Sequence, residues 1–165
     1  MRQRWPILLI AALALAGCAE VEADEMNLTS SAFTDGGAIP AEHTCDGAGT
    51  SPPLAWTDVP DGAKAFAVVV TDPDAGGFVH WVLADIPGDA RELPAGEGDA
   101  IGLPGANGFG DTGWGGPCPP SGEHRYEFRL YALAERIGLE DPTAADLRAA
   151  SALAAGELLG IYARR

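Results

Sequence analysis

The ten residues from His124 to Leu133, HRYEFRLYAL, alternate without a break: Tyr126, Phe128, Leu130 and Ala132 on one side, Arg125, Glu127, Arg129 and Tyr131 on the other. Such a period of two puts one set of side chains in a core and the other toward solvent, so this stretch is a strand and excludes an all-helical fold. AFAVVVTD, with three consecutive valines, reads as a strand covered on both faces. FVHWVLADI again alternates, placing Phe78, His80, Val82 and Ala84 on one face and Val79, Trp81 and Leu83 on the other. MNLTSSAF carries a weaker strand pattern. Several strands with few helices predict a mainly β chain built on a mostly antiparallel sheet.

One convincing helix is predicted, in DPTAADLRAASALAAG, with Thr143 as N-cap, Asp146 three residues on, a stripe of Leu147, Ala150 and Leu153 or Ala154, and an end by Gly156. ELLGIYARR then reads as a possible edge strand. Ten glycines between Gly96 and Gly122, with Pro104, Pro117, Pro119 and Pro120, exclude regular structure over most of that stretch. A loop this long in a compact domain is usually functional, and Phe109 and Trp114 argue that it is packed.

The N-terminus is a separate device. MRQRWPILLIAALALAGC joins two arginines to an apolar run too short to span a membrane and to small residues before Cys18, the pattern of an export signal. Leu15-Ala16-Gly17-Cys18 resembles the lipobox of bacterial lipoproteins. That resemblance implies cleavage after residue 17 and acylation of Cys18, and a diacylglycerol plus an N-acyl chain anchors stably. Ala19 after the cysteine favours the outer membrane, facing the periplasm. The expected layout is a signal at 1–17, an acidic tether at 18–25 and one domain at 26–165. Losing Arg2 and Arg4 takes the formal charge from −14 to −16. Such a surface repels nucleic acid and anionic headgroups. Cys45 and Cys118 then remain as a pair. In an oxidising compartment they form a disulfide candidate closing a loop of about 70 residues, worth roughly 4 kcal/mol in the loop-entropy account. Two free buried thiols are the other reading.

Asp72 and Asp74 in TDPDA and the three histidines, His43, His80 and His124, are the polar groups that a sheet core does not explain. If the strands around His80 and His124 share a sheet, their polar ends converge with Asp72 at one mouth. Taken alone, His80 reads first as a hydrogen-bonded core histidine. His43 either rims such a site or faces solvent. Trp56 and Trp81 belong to the core, and Arg125 and Arg129 to surface ion pairs.

HTCDGAGTSPPLAW, TDPDA, VHWVLADIP, NGFGDTGWGGPCPPSGEHRYEFRLYAL and ELLGIY together, in this order, resemble the phosphatidylethanolamine-binding protein family in its bacterial Raf-kinase-inhibitor-like branch, over residues 27–163. The resemblance implies a large antiparallel sheet packed against a smaller one, with a small anion pocket at one end. Its Asp-Pro-Asp motif falls on Asp72, Pro73 and Asp74, its strand histidine on His80, its glycine-proline segment on Gly115, Gly116 and Pro117, and its Gly-x-His-Arg-Tyr motif on Gly122, His124, Arg125 and Tyr126. The chain departs from the family at Gly76 and Gly77, where a proline is usual, and at Trp114, where tyrosine is common.

Backbone N–H groups of a glycine-rich loop and imidazole N–H groups can hold a phosphate or carboxylate, while Asp72 orients a histidine. A zwitterionic headgroup also offers an ammonium to Asp72 or Asp74. The resulting expectation is a non-catalytic binding protein for a small anionic or phosphorylated ligand, without cofactor or metal, and with a regulatory or inhibitor-like role implied by the family alone. Two rival readings use the same residues. One is a hydrolase in which Asp72, His80 and His124 serve Cys118 or Ser121 as nucleophile. The other is a zinc site built on the two histidines and the aspartate.

Overall fold

The computed structural model describes residues 24–164. The signal, Cys18 and most of the tether lie outside the described residues. The strands are β1 (Asp24–Glu25), β2 (Asn27–Thr29), β3 (Gly37–Ala38), β4 (Leu54–Thr57), β5 (Ala65–Asp72), β6 (Phe78–Pro87), β7 (Glu92–Leu93), β8 (Leu103–Pro104), β9 (Glu123–Leu133) and β10 (Ala152–Ala163). Two short helices, α1 (Gly98–Ile101) and α2 (Ala144–Ala149), interrupt them. The large sheet runs β1-β10-β9-β5-β6-β8, with β3 also pairing β10, and the small sheet runs β2-β4-β7. The mainly β, two-sheet architecture is the one the resemblance implies.

The strand patterns explain the layers. β5 is buried at every position because it lies between β9 and β6 and is covered on both faces. Phe66, Val68 and Val70 point with Tyr126, Phe128 and Leu130 toward the small sheet, whose Leu28, Leu54, Trp56 and Leu93 fill the same core. On the other face Ala67, Val69, Val82 and Ala84 pack with Leu147 of α2. Trp56 and Trp81 are both in the inter-sheet core. Arg129 pairs with Glu157, its direct neighbour across β9 and β10.

Three expectations change. The helix at 141–156 is real only as far as Ala149. Its capping box is present, since Thr143 accepts from the Asp146 N–H and Asp146 accepts from the Thr143 N–H. At Ala150 the backbone turns extended, and 152–163 becomes the long strand β10, paired with β9 over eleven residues of that strand. ELLGIYARR is thus no separate edge strand but continues β10, which is flanked by β9 on one side and by β1 and β3 on the other. The physical cause is that β9 needs a partner for its ladder, and pairing overrides the helix propensity of an alanine-rich segment. Second, Asp24 and Glu25, expected in the tether, pair with Ala154 and Ala155.

The third change concerns β6. Val70 lies opposite Trp81 and Thr71 opposite Val79, which leaves His80 without a partner on β5. This bulge turns His80 and Trp81 to the same side of the sheet. Trp81 enters the inter-sheet core and the His80 ring meets Tyr126, while Val79 and Val82 pack on the α2 side. His80 therefore does not share the face of Val82 and Ala84.

Candidate functional site

β5, β6 and β9 end on the same side of the large sheet, so Asp72, His80 and His124 meet there even though they are distant in sequence. A pocket of about 180 Å³ lies between them, lined by Asp72, His80, His124 and Tyr126 with Phe78, Phe109, Ala75, Cys118, Pro119 and Pro120. A larger open groove of about 570 Å³ at the opposite end is lined by Leu133, Ile137, Leu139 and Leu153 among others, and contains no histidine. The smaller pocket is where the titratable groups converge, and it is the candidate site.

Each polar group in it is held by a definite partner. Asp72, 3% exposed, accepts from the Ala75 N–H through Oδ1 at 2.9 Å and from His124 Nδ1–H through Oδ2 at 2.7 Å. The first bond caps a 3₁₀ turn at Pro73–Ala75, which closes through Gly76 in the left-handed region at φ 68°. Glycine reaches that conformation at little cost, whereas a proline, with φ fixed at about −65°, does not. His80 donates from Nδ1 to the Gly115 carbonyl at 2.7 Å. Because carbonyl and carboxylate oxygens only accept, both rings carry their proton on Nδ1, and Nε2 is the atom each has left for a ligand. Burial pushes the His80 imidazole below the ordinary histidine range, and the Gly115 and Asp72 oxygens only partly oppose that.

Tyr126 is fully buried, and its hydroxyl has no hydrogen-bond partner among the described residues. Burial pushes its phenol up, with Asp72 and Asp74 adding to the effect. An orphaned hydroxyl in a pocket wall costs about 1–3 kcal/mol of desolvation that a bound acceptor or water would recover. The rings of Phe78 and Phe109 stand edge-on to His80 at 5.2 and 5.5 Å, and Phe109 is 51% exposed at the rim.

Other predicted site residues lie close by but outside the lining. Asp74 is committed to Arg125, accepting from its backbone N–H, its Nε and its guanidinium NH2 at 2.9, 3.0 and 2.7 Å. These bonds hold the Asp74 carboxyl well below its usual range, at about 2. It is not free to meet a ligand ammonium. Pro73 starts the turn. Gly115 uses its N–H on the His80 carbonyl at 2.8 Å, so it cannot give that N–H to an anion. A side chain on Gly115 would run into the Phe109 ring, and one on Gly116 into the His43 carbonyl at 3.0 Å. Those two glycines allow close packing behind the pocket. Pro117 accepts from the Cys45 N–H at 3.1 Å, next to a Cys45–Cys118 disulfide with Cα atoms 5.4 Å apart.

The disulfide makes Cys118 part of the wall and removes it as a nucleophile, while Ser121 is exposed and outside the lining. Among the described residues no three His, Cys, Asp or Glu side chains converge closely enough to hold a metal ion. His43 neither rims the pocket nor faces solvent. It is buried, donating from Nδ1 to the Thr50 carbonyl at 3.0 Å. The wall residues Phe78, Pro119 and Pro120 escaped sequence reasoning. Their signals were the parity of Phe78 with His80 and the double proline following a bridged cysteine.

A two-sheet β domain with a small pocket of two histidines, an aspartate and a tyrosine at the strand ends defines a class of binding proteins. The sequence model of that class, the phosphatidylethanolamine-binding protein family, matches residues 29–163, and the chain belongs to this family. A UPF0098 protein of Methanothermobacter thermautotrophicus is 46% identical over 150 residues, 84% of this chain and 99% of its own length. The crystal structure of a phosphatidylethanolamine-binding protein homologue from Chlamydia trachomatis aligns with a TM-score of 0.80 at 35% identity, covering 87% of this chain and 100% of that one. Escherichia coli YbcL, described as a member of the mammalian family, aligns at 0.77 and 32%, covering 85% and 99%.

Proposed function

We propose that this chain is an exported, lipid-anchored, non-catalytic binding protein whose pocket takes one small anion: phosphate, a phosphomonoester such as phosphoethanolamine, or a carboxylate. The single observation that carries the reading is that two histidines, each with Nδ1 already engaged, and one unpartnered buried tyrosine hydroxyl line the same pocket. Together they offer an anion three donors: the Tyr126 hydroxyl and, once protonated, the two Nε2 atoms. The pocket volume of about 180 Å³ suits a ligand of a few heavy atoms rather than a whole phospholipid. Asp72 supplies the counter-charge for an imidazolium at His124. The names of the relatives given above denote no enzyme, which agrees with a binding role.

The apolar wall sets the pH behaviour. Burial lowers the His80 pKa, so its neutral form persists to lower pH in the free protein, and a neutral Nε2 presents a lone pair that repels an anion. Binding therefore takes up a proton, and affinity rises as pH falls, by up to about tenfold per unit for each proton taken up. The test is titration of the lipid-free protein with phosphate, acetate and phosphoethanolamine, following the histidine ring signals by NMR. The expected outcome is joint, saturable movement of the His80 and His124 signals, lost in His124→Ala. Acetate, which stays ionised from about pH 8 to about pH 6, should bind more tightly at the lower end. Silent ring signals in a folded protein would remove the pocket reading.

A further inference from the structure

The pocket and the point where the chain enters the domain lie at opposite ends of the large sheet. Asp24 pairs with Ala154, and Ala154 with Ala132. From Ala132 the strand β9 runs eight residue steps back to His124, about 26 Å at the usual rise per residue. Phe66, opposite Ala132 on β5, is likewise separated from Asp72 by most of that strand. The pocket opens beyond these strand ends, between the turn after Asp72, Phe109 and Pro119–Pro120.

From Asp24 back to Cys18 there are six residue steps, which no backbone conformation stretches beyond about 20–22 Å. We propose that the pocket of the anchored protein does not face the bilayer that holds it. Its ligand is then a small anion or phosphomonoester dissolved in the aqueous phase, not the headgroup of a phospholipid in the same membrane. The inference rests on the anchor and pocket readings given above. To lower the mouth onto the headgroups, the domain must stand with β1 uppermost and Asp24 a full strand length above them. The tether is too short for that. Lying on its side, the domain turns the mouth along the membrane plane, where a headgroup held by its acyl chains does not enter. The end presented to the bilayer is the one with the open groove around Ile137, Leu139 and Leu153.

The test uses the full-length protein, isolated from membranes with its anchor and reconstituted into phosphatidylcholine vesicles with and without phosphatidylethanolamine. A fluorophore is placed on Ser121→Cys at the pocket end or on Ser151→Cys at the entry end, both exposed positions. Energy transfer to a headgroup-labelled lipid should put the Ser121 label no nearer the membrane surface than the Ser151 label, and about 20 Å farther where the domain stands upright. A Gly-Ser segment of about 20 residues inserted between Ala23 and Asp24 should shrink the difference. Ser121 nearer than Ser151 in the unextended protein would overturn the inference. So would a tenfold weakening of phosphoethanolamine binding when the vesicles contain phosphatidylethanolamine, whereas an affinity within twofold supports it. Failure of the underlying readings shows separately. A wild-type protein that partitions no more than Cys18→Ala removes the anchor and this inference with it. A Cys18→Ala protein that binds no phosphoethanolamine in solution removes the pocket while the depth measurement still stands.

Discussion

Tyr126 separates binding from stability more cleanly than any other residue of the pocket. Its hydroxyl is desolvated without a partner, so Tyr126→Phe deletes an unsatisfied donor and leaves the ring contact with His80 in place. Urea unfolding should be unchanged or slightly more resistant, while the Kd for phosphoethanolamine rises about five- to tenfold, the worth of one hydrogen bond. Equal loss of both would mean the hydroxyl has a structural partner. Asp74 acts at the same scale but on the fold. Its carboxyl is held at about 2 by Arg125, below the ordinary unfolded value of 3.8. A depressed carboxyl contributes stability that is present above the unfolded pKa and lost as pH falls through the folded one. Asp74→Asn should therefore flatten the acid limb of the stability curve between about pH 4 and about pH 2 and leave neutral ligand binding intact. Asp72, His80 and His124 were legible in the chain as polar groups that a sheet core does not explain, and Tyr126 was legible as a site residue through the family resemblance alone. That Asp74 is spent on Arg125, and that Gly115 spends its N–H on His80, was not, because both depend on partners that only the fold brings near.

At the scale of elements, β10 is the instructive case. Its inward positions are Ala154, Gly156, Leu158 and Gly160, a period of two that the sequence conceals because two of the four side chains are missing. The glycines are needed where neighbours press closely. A Cβ on Gly156 would lie 2.8 Å from the Met26 carbonyl oxygen and one on Gly160 2.6 Å from Ile39. Gly156→Ala must displace backbone rather than a side chain, and it should cost about 1–3 kcal/mol in chemical denaturation. A neutral result would show that the N-terminal strand yields at that point. The alanines before Gly156 favour helix locally, which explains why a helix through 156 was the natural reading and why the observed one stops at Ala149. β6 teaches the same lesson: strict alternation assigned His80 to the wrong face, because a bulge changes parity without leaving a mark in composition.

Across the whole molecule, the Cys45–Cys118 bridge ties the segment between β3 and β4 to the pocket wall, over a sequence separation of 73. Its removal in Cys45→Ala/Cys118→Ala should cost roughly 4 kcal/mol in the loop-entropy account, read as a shift of the urea midpoint. Because Pro119 and Pro120 line the pocket directly after Cys118, the same variant should also bind phosphoethanolamine more weakly. Unchanged affinity would separate the bridge from the site. The amino-acid sequence by itself determined the mainly β class, the fully buried β5, the alternation of β9, the polar residues available for a site and the family. Those features are local, written in periodicity and in residue types at close spacing. Only the tertiary structure decided that β10 is a strand, that the β6 bulge turns His80 toward Tyr126, and that the pocket stands at the end of the sheet away from Asp24. Each of these follows from backbone pairing between segments far apart in the chain, which short-range pattern does not encode.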